Sequence, residues 1–250
     1  MIKAINVWKR YGKLEVLKGL DLEVQTGETV VILGRSGVGK SVLLRQILGI
    51  EIPDEGYIEV NGQRISAMGK HERYELVKHM GMLFQGAALF DSMNVGENVA
   101  FFLRQHESQL TEKEIEERVA FALERVGLQG TQLKMPSELS GGMRKRAALA
   151  RLIVYRPSII LYDEPTTGLD PITSQQINEL IISIQNDLKA TSIVVTHDIR
   201  SAFEVGDRLA FHHNGKILYI APKREFLKID DPIIQQFFSN AILTEAQLND

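Results

Sequence analysis

The chain has 250 residues, enough for one large domain or for a domain with an inserted lobe, and its 44% hydrophobic content supports a real core. A net charge of −3 without any long run of Lys or Arg argues against a protein devoted to gripping nucleic acid. The absence of cysteine excludes disulfides, thiolate catalysis and Cys-ligated metals.

In chain order, Met1 to Asn6 lack the apolar core of a signal peptide, and no apolar run approaches the length of a membrane span. If the chain works at a membrane, a partner must hold it there. Residues 2–8 and 20–24 read as strands, separated by the polar turn Lys9-Arg10-Tyr11-Gly12-Lys13. Thr29-Val30-Val31-Ile32-Leu33 is a buried strand, apolar and rich in β-branched residues. Pro53-Asp54-Glu55-Gly56 is a turn before a strand at Tyr57 to Val60, and Asn61-Gly62 signals a hairpin. A polar helix is expected over 70–78 and a short strand from Met80 to Phe84, ending at Gln85. From Asn94 to about Val126 the spacing of Ile115, Val119, Leu123 and Val126 is helical, and the charges between them read as a solvated face. A second helix is expected from Gly141 to about Tyr155, so that 94–155 forms a helical lobe inserted into an α/β core. Ser158 to Tyr162 is an apolar strand. Ile177, Leu180, Ile181, Ile184 and Leu188 stripe the next helix. Thr191 to Thr196 is a buried strand ending at His197. Short strands near 208–213 and 216–220, a helix at 232–238 and a short tail over 239–250 complete the chain.

The chemistry starts at Gly34-Arg35-Ser36-Gly37-Val38-Gly39-Lys40-Ser41, which matches G-x-x-x-x-G-K-[ST]. The stretch follows a strand and precedes the helical spacing of Val42, Leu43, Leu44, Ile47 and Leu48, the context a phosphate loop needs. Its glycines let backbone N–H groups turn inward around phosphate oxygens, and the helix N-terminus adds partial positive charge. Lys40 is placed to reach the β- and γ-phosphates and Ser41 to ligate Mg²⁺. Ile159-Ile160-Leu161-Tyr162 ends in Asp163-Glu164, at the carboxyl end of a strand, where α/β sheets bind ligands. Asp163 is positioned to hold Mg²⁺ through water, and Glu164 to polarise a water for attack on the γ-phosphate. Leu139-Ser140-Gly141-Gly142-Met143 opens a helix with a good N-cap and exposed backbone N–H groups. One nucleotide does not need two such anion sites on one protomer. A simple resolution is that this second loop closes on the nucleotide of a partner protomer.

These motifs together resemble the ATPase subunit of an ATP-binding-cassette (ABC) transporter. Gly34 to Ser41, Gln85, Leu139 to Met143, Ile159 to Glu164, Gly168-Leu169-Asp170 and His197 come in that family's order and span nearly the whole chain. The resemblance implies a P-loop NTPase (RecA-like) core with an antiparallel β subdomain and an inserted α-helical subdomain, all one nucleotide-binding domain. It implies that Tyr11 stacks on adenine and that Gln85 touches Mg²⁺ or the attacking water and signals to the membrane subunit. It further implies that Ser140, Gly141 and Gly142 bind the γ-phosphate of ATP on the opposite protomer. By the same resemblance Asp170 orders the interface between protomers, and His197 contacts the γ-phosphate and Glu164. ATP and Mg²⁺ are the implied cofactors, and a homodimer on the cytoplasmic face of the inner membrane, docked on an integral-membrane permease, is the implied assembly.

Met143, where most members carry Gln, narrows the branch. Pro136 to Met143, Gly81 to Phe90, Met93 to Phe101 and Asp170-Pro171-Ile172-Thr173-Ser174 resemble the branch that powers lipid transport with MCE-domain proteins, the Mla-type systems. Phospholipid transport and an MCE-domain substrate-binding partner are therefore expected. Another importer or exporter branch, serving polar amino acids or lipoprotein release, is the alternative. Residues 85–105 are expected to form the groove for a coupling helix, and Phe84, Leu89, Phe90, Phe101 and Phe102 are either its docking patch or the lobe's own core. Some relatives carry a long C-terminal extension that meets a small regulatory subunit. The tail here is short after Phe238, which leaves that partner open.

Overall fold

The computed structural model describes residues 1–35 and 37–239. Ser36 and the tail from residue 240 onward lie outside the described residues. The chain divides into two compact units, one built from Met1–Lys78 and the chain from Ala190 onward, the other from His79–Lys189. The first unit opens with β1 (Ile2–Tyr11), β2 (Leu14–Val24), β3 (Thr29–Leu33), α1 (Lys40–Ile47), β4 (Glu55–Val60), β5 (Gln63–Arg64) and α2 (Lys70–Val77). The second unit holds β6 (Met80–Leu83), α3 (Val95–His106), α4 (Glu112–Arg125), α5 (Gly141–Ile153), β7 (Ile159–Asp163) and α6 (Pro171–Leu188). The chain then returns to the first unit through β8 (Thr191–Thr196), α7 (Ile199–Val205), β9 (Arg208–His213), β10 (Lys216–Pro222), α8 (Lys223–Phe226) and α9 (Pro232–Ser239).

Two sheets organise the first unit. One is antiparallel, in the order β2-β1-β4-β5. Its first hairpin is longer than the sequence suggests, because Lys9, Arg10 and Tyr11 pair with Leu17, Glu15 and Leu14 and only Gly12-Lys13 turn. Polar residues on the solvent side of a hairpin carry the composition of a turn, and here Arg10 and Glu15 make an ion pair of 3.2 Å across the two strands. Asn61 and Gly62, with φ of 50° and 81°, make the expected tight turn between β4 and β5. In the other sheet β3 lies between β8 and β9, parallel to both, and β10 closes on β9 antiparallel. Every residue of β3 and β8 is buried, which is why both read as continuous apolar or β-branched runs rather than alternating ones.

In the second unit β6 and β7 pair in parallel, Leu83 opposite Tyr162. The helical stretch expected from Asn94 to Val126 is two helices. Thr111 ends the continuity: its hydroxyl accepts from the Glu114 N–H (3.3 Å) while the Glu114 carboxylate accepts from the Thr111 N–H (2.8 Å), a capping box that starts α4 afresh. Val95, Val99 and Leu103 of α3 are buried, as are Ile115, Val119 and Leu123 of α4 and Ala147, Leu149 and Leu152 of α5. Asn98 is fully buried and satisfied, accepting from the Phe90 N–H (2.8 Å) and donating to the Phe90 and Met93 carbonyls (3.0 Å each). It thereby folds the loop between β6 and α3.

Candidate nucleotide site

In the first unit the phosphate loop follows β3 directly. Leu33 is paired with Thr196 of β8, so Gly34 and His197 are each the first residue beyond the carboxyl ends of adjacent parallel strands. Gly39 caps α1 with φ of 103°, and a Cβ there would lie 2.5 Å from Val16 Cγ1; both the left-handed backbone and the close approach demand glycine. Lys40, the first residue of α1, is 4% exposed. Its ammonium donates to the carbonyls of Gly34 (2.7 Å) and Arg35 (2.9 Å), so the side chain curls over the loop. A buried cation at a helix N-terminus is an anion-accepting arrangement. Arg35, Gly37 and His197 are exposed, while Val38 and Ser41 are half-buried.

Tyr11 sits at the end of β1, 45% exposed, with its hydroxyl donating to Glu51 and the Lys9 ammonium 5.7 Å from the ring centroid. Partial burial and the Glu51 carboxylate both push the phenol pKa up. Glu51 is also paired to Arg45 of α1 at 2.6 Å, so the aromatic ring is tethered to the helix that leaves the phosphate loop.

In the second unit Asp163 ends β7 and Glu164 follows it, both buried. The Glu164 backbone is left-handed, φ 48°, which for a non-glycine residue costs on the order of 1 kcal/mol or more. Its carboxylate accepts from the Thr167 hydroxyl (3.0 Å), and its carbonyl accepts from the Thr167 N–H (3.3 Å). The same carbonyl accepts from Lys145 (3.2 Å), a buried ammonium on α5 that also donates to the Gln85 carbonyl (2.6 Å). Burial pushes the Lys145 ammonium down to about 8, against the raising influence of Asp163 and Glu164. Gln85 itself is exposed. The turn after it holds Ala87 and Ala88 at φ of 64° and 49°, and Arg151 of α5 donates to both of their carbonyls (3.0 and 2.7 Å).

Ser140 caps α5, its hydroxyl accepting from the Met143 N–H at 3.3 Å, and Ser140 and Gly141 are exposed. Gly142 is buried, and a Cβ there would lie 2.5 Å from Thr173 Cγ2, so packing against α6 fixes glycine at this position. Thr173 is in turn held by Asp170, the α6 cap, whose carboxylate accepts from the Thr173 N–H (3.0 Å) and hydroxyl (2.6 Å). These bonds, the hydroxyl first, hold the Asp170 carboxyl below the usual range. Lys145 and Arg151 carry no sequence signal of their own: each is a cation on a helix whose partners are backbone carbonyls brought near only by folding.

A strand, a glycine-rich loop and a helix headed by a buried lysine, with an acid pair closing another parallel strand, define a phosphate-loop α/β nucleotide-binding protein. Residues 17–167 match the ABC transporter family model, and the chain belongs to that family as an ATP-binding, ATP-hydrolysing subunit. It is 40% identical, over 95% of its length and 89% of the relative's, to the intermembrane phospholipid transport system ATP-binding protein MlaF of Haemophilus influenzae. It is 39% identical, over 95% of its length and 68% of the relative's, to the probable ribonucleotide transport ATP-binding protein mkl of Mycobacterium leprae. Among solved structures it is similar to a dimeric ATP-binding cassette in a post-hydrolysis state bound to ADP and Pi, with a TM-score of 0.82 and 30% identity over 90% of this chain and 99% of that one.

Proposed function

We propose that the chain energises phospholipid transport at the bacterial inner membrane, as the ATPase pair beneath a permease that works with an MCE-domain protein. The observation that carries the lipid reading is the 40% identity to MlaF over nearly the whole chain, joined to Met143 in the loop that opens α5. Both compact units belong to one nucleotide-binding domain on the cytoplasmic face; among the described residues no helix is long and apolar enough to cross a membrane.

Gly34, Arg35, Ser36, Gly37, Val38, Gly39 and Lys40 take the phosphates, with Lys40 released from the loop carbonyls to the β- and γ-oxygens, and Tyr11 takes the adenine. Ser140, Gly141 and Gly142 cover the γ-phosphate from the partner protomer, and Asp170 orders the seam between the two copies. Ser41, Gln85 and Asp163 suit Mg²⁺: all three offer oxygen to an ion that takes one or two protein oxygens plus phosphate. When bound, Mg²⁺ supplies charge to the phosphoryl oxygens. Glu164 orients and deprotonates the attacking water, and His197 holds the γ-phosphate beside it. The rest of the rate comes from Lys40 and backbone N–H groups placed against developing charge.

The relative named for ribonucleotide transport supplies a second reading of the cargo. One experiment separates the two. The transporter, purified whole and placed in lipid nanodiscs or vesicles, is given ATP and either labelled phospholipid or labelled ribonucleotide. ATP-dependent movement of phospholipid alone supports the proposal, and movement of ribonucleotide alone replaces it.

A further inference from the structure

Lys145 lies outside the nucleotide motifs, yet it is 4% exposed and its ammonium bridges two backbone carbonyls, those of Gln85 and Glu164. These two residues are related by the sheet. Leu83 and Tyr162 are register partners on the parallel strands β6 and β7, and Gln85 and Glu164 each lie two residues further on. One cation therefore ties the equivalent points of two loops, just where both leave the sheet. The lysine is on α5, five residues after the Ser140 cap, so the third element it joins is the helix that begins with Ser140 and Gly141. At Glu164 the tie falls on a left-handed backbone, which would relax unless neighbouring groups held it. Arg151, a turn and a half along the same helix, repeats the device on the Ala87 and Ala88 carbonyls.

We propose that Lys145 is a positioning residue for ATP hydrolysis, holding the Glu164 and Gln85 loops at a fixed setting relative to the helix that starts at Ser140. Its bonds run to the Gln85 and Glu164 carbonyls. It acts through Glu164, and so the inference rests on the assignment of Glu164 as the base. Movement of α5 when the Ser140 end meets a nucleotide is passed by this one ammonium to both loops. Turnover thus depends on the position of the helix as well as on the occupancy of the phosphate loop. An apolar side chain at 145 would take this donor from both carbonyls, leaving the Glu164 carbonyl with the bond from the Thr167 N–H and loosening its backbone, and misplacement by about 1 Å costs on the order of 100-fold in rate.

The test is steady-state phosphate release by the full-length chain carrying Lys145→Met, Lys145→Arg, Glu164→Gln and the double variant Lys145→Met/Glu164→Gln, with thermal unfolding of each. Lys145→Met is expected to lower kcat roughly 10- to 100-fold while KM for ATP moves less than about 3-fold. Lys145→Arg, which keeps the charge and donors, should recover most of kcat. In the Glu164→Gln background, Lys145→Met should lower the residual rate no further, since a residue acting through Glu164 has nothing left to position. The proposal is overturned if Lys145→Met leaves kcat unchanged, if Arg rescues no better than Met in protein that is still folded, or if the full loss persists in the Glu164→Gln background. Glu164→Gln alone reads the base assignment separately: normal turnover there removes that assignment, while the Met and Arg pair still decides whether the ammonium sets kcat.

Discussion

Glu164, proposed as the base, holds its carboxylate on a backbone with a left-handed φ of 48°. Thr167 bonds both its carboxylate and its carbonyl, which limits the orientations the acid can take. Glu164→Gln keeps the shape but replaces one carboxylate oxygen with an amide NH2, so the side chain can no longer take up a proton. Turnover should fall about 100-fold or more, in line with the worth of a general base, while the affinity for a fluorescent ATP analogue stays within a few-fold. A normal rate of phosphate release in that variant would contradict the role. His212 offers a residue-scale prediction about stability. It is buried in β9, neither ring nitrogen has a hydrogen-bond partner among the described residues, and a Cβ at Gly34 would lie 2.6 Å from its carbonyl oxygen. Burial, with a smaller push from Lys40, lowers its pKa from 6.5 to about 4. The unfolded chain therefore takes up the proton first. Stability from this residue is complete above pH 6.5 and is lost as pH falls toward 4, by roughly 3 kcal/mol in all. His212→Leu should flatten that part of the curve in denaturant titrations at pH 7, 5.5 and 4.5; an unchanged slope would show that His212 is not what titrates.

At the scale of elements, α5 and α6 are matched through one contact. Gly142 leaves room for Thr173 Cγ2, and Thr173 cannot swing aside without giving up its bonds to Asp170. Gly142→Ala should lower the unfolding free energy by about 1–3 kcal/mol, the cost of overpacking. Adding Thr173→Ser, which deletes the obstructing methyl but keeps the hydroxyl, should restore most of the loss in thermal unfolding; no restoration would place the strain elsewhere. The elements themselves were legible to different degrees. β3, β7 and β8 are buried on both faces, so their sequences are dominated by apolar and β-branched residues, with Ser192 and the terminal Asp163 as exceptions, and their bounds follow to within a residue. The first hairpin was harder because Arg10, Tyr11, Leu14 and Glu15 face solvent, and exposed strand residues carry no alternating pattern. The break at Thr111 was present as the capping box with Glu114, a local signal between two stretches that each have helical spacing. α7 and α8 are short, and neither is long enough to show a period. In the site, Gly34 to Ser41, Asp163 and Glu164 were legible because loop chemistry is written in consecutive residues. Lys145 and Arg151 were not, because backbone carbonyls leave no trace in sequence and any donor on the right face of α5 would read the same.

In the proposed whole molecule each chain supplies half of each ATP site. Lys40 closes on its own loop carbonyls, and the start of α5 at Ser140 and Gly141 is exposed. Membership of the ABC transporter family agrees with a second copy completing each site. ATP should therefore act as glue when it cannot be spent. The measurement is the solution mass of Glu164→Gln by light scattering, with and without saturating ATP and Mg²⁺. The mass should be the 28.1 kDa of a single chain without nucleotide and twice that with it, and the further change Ser140→Arg should abolish the shift. A mass that stays at one chain in saturating ATP, from protein shown to bind the nucleotide, would contradict it.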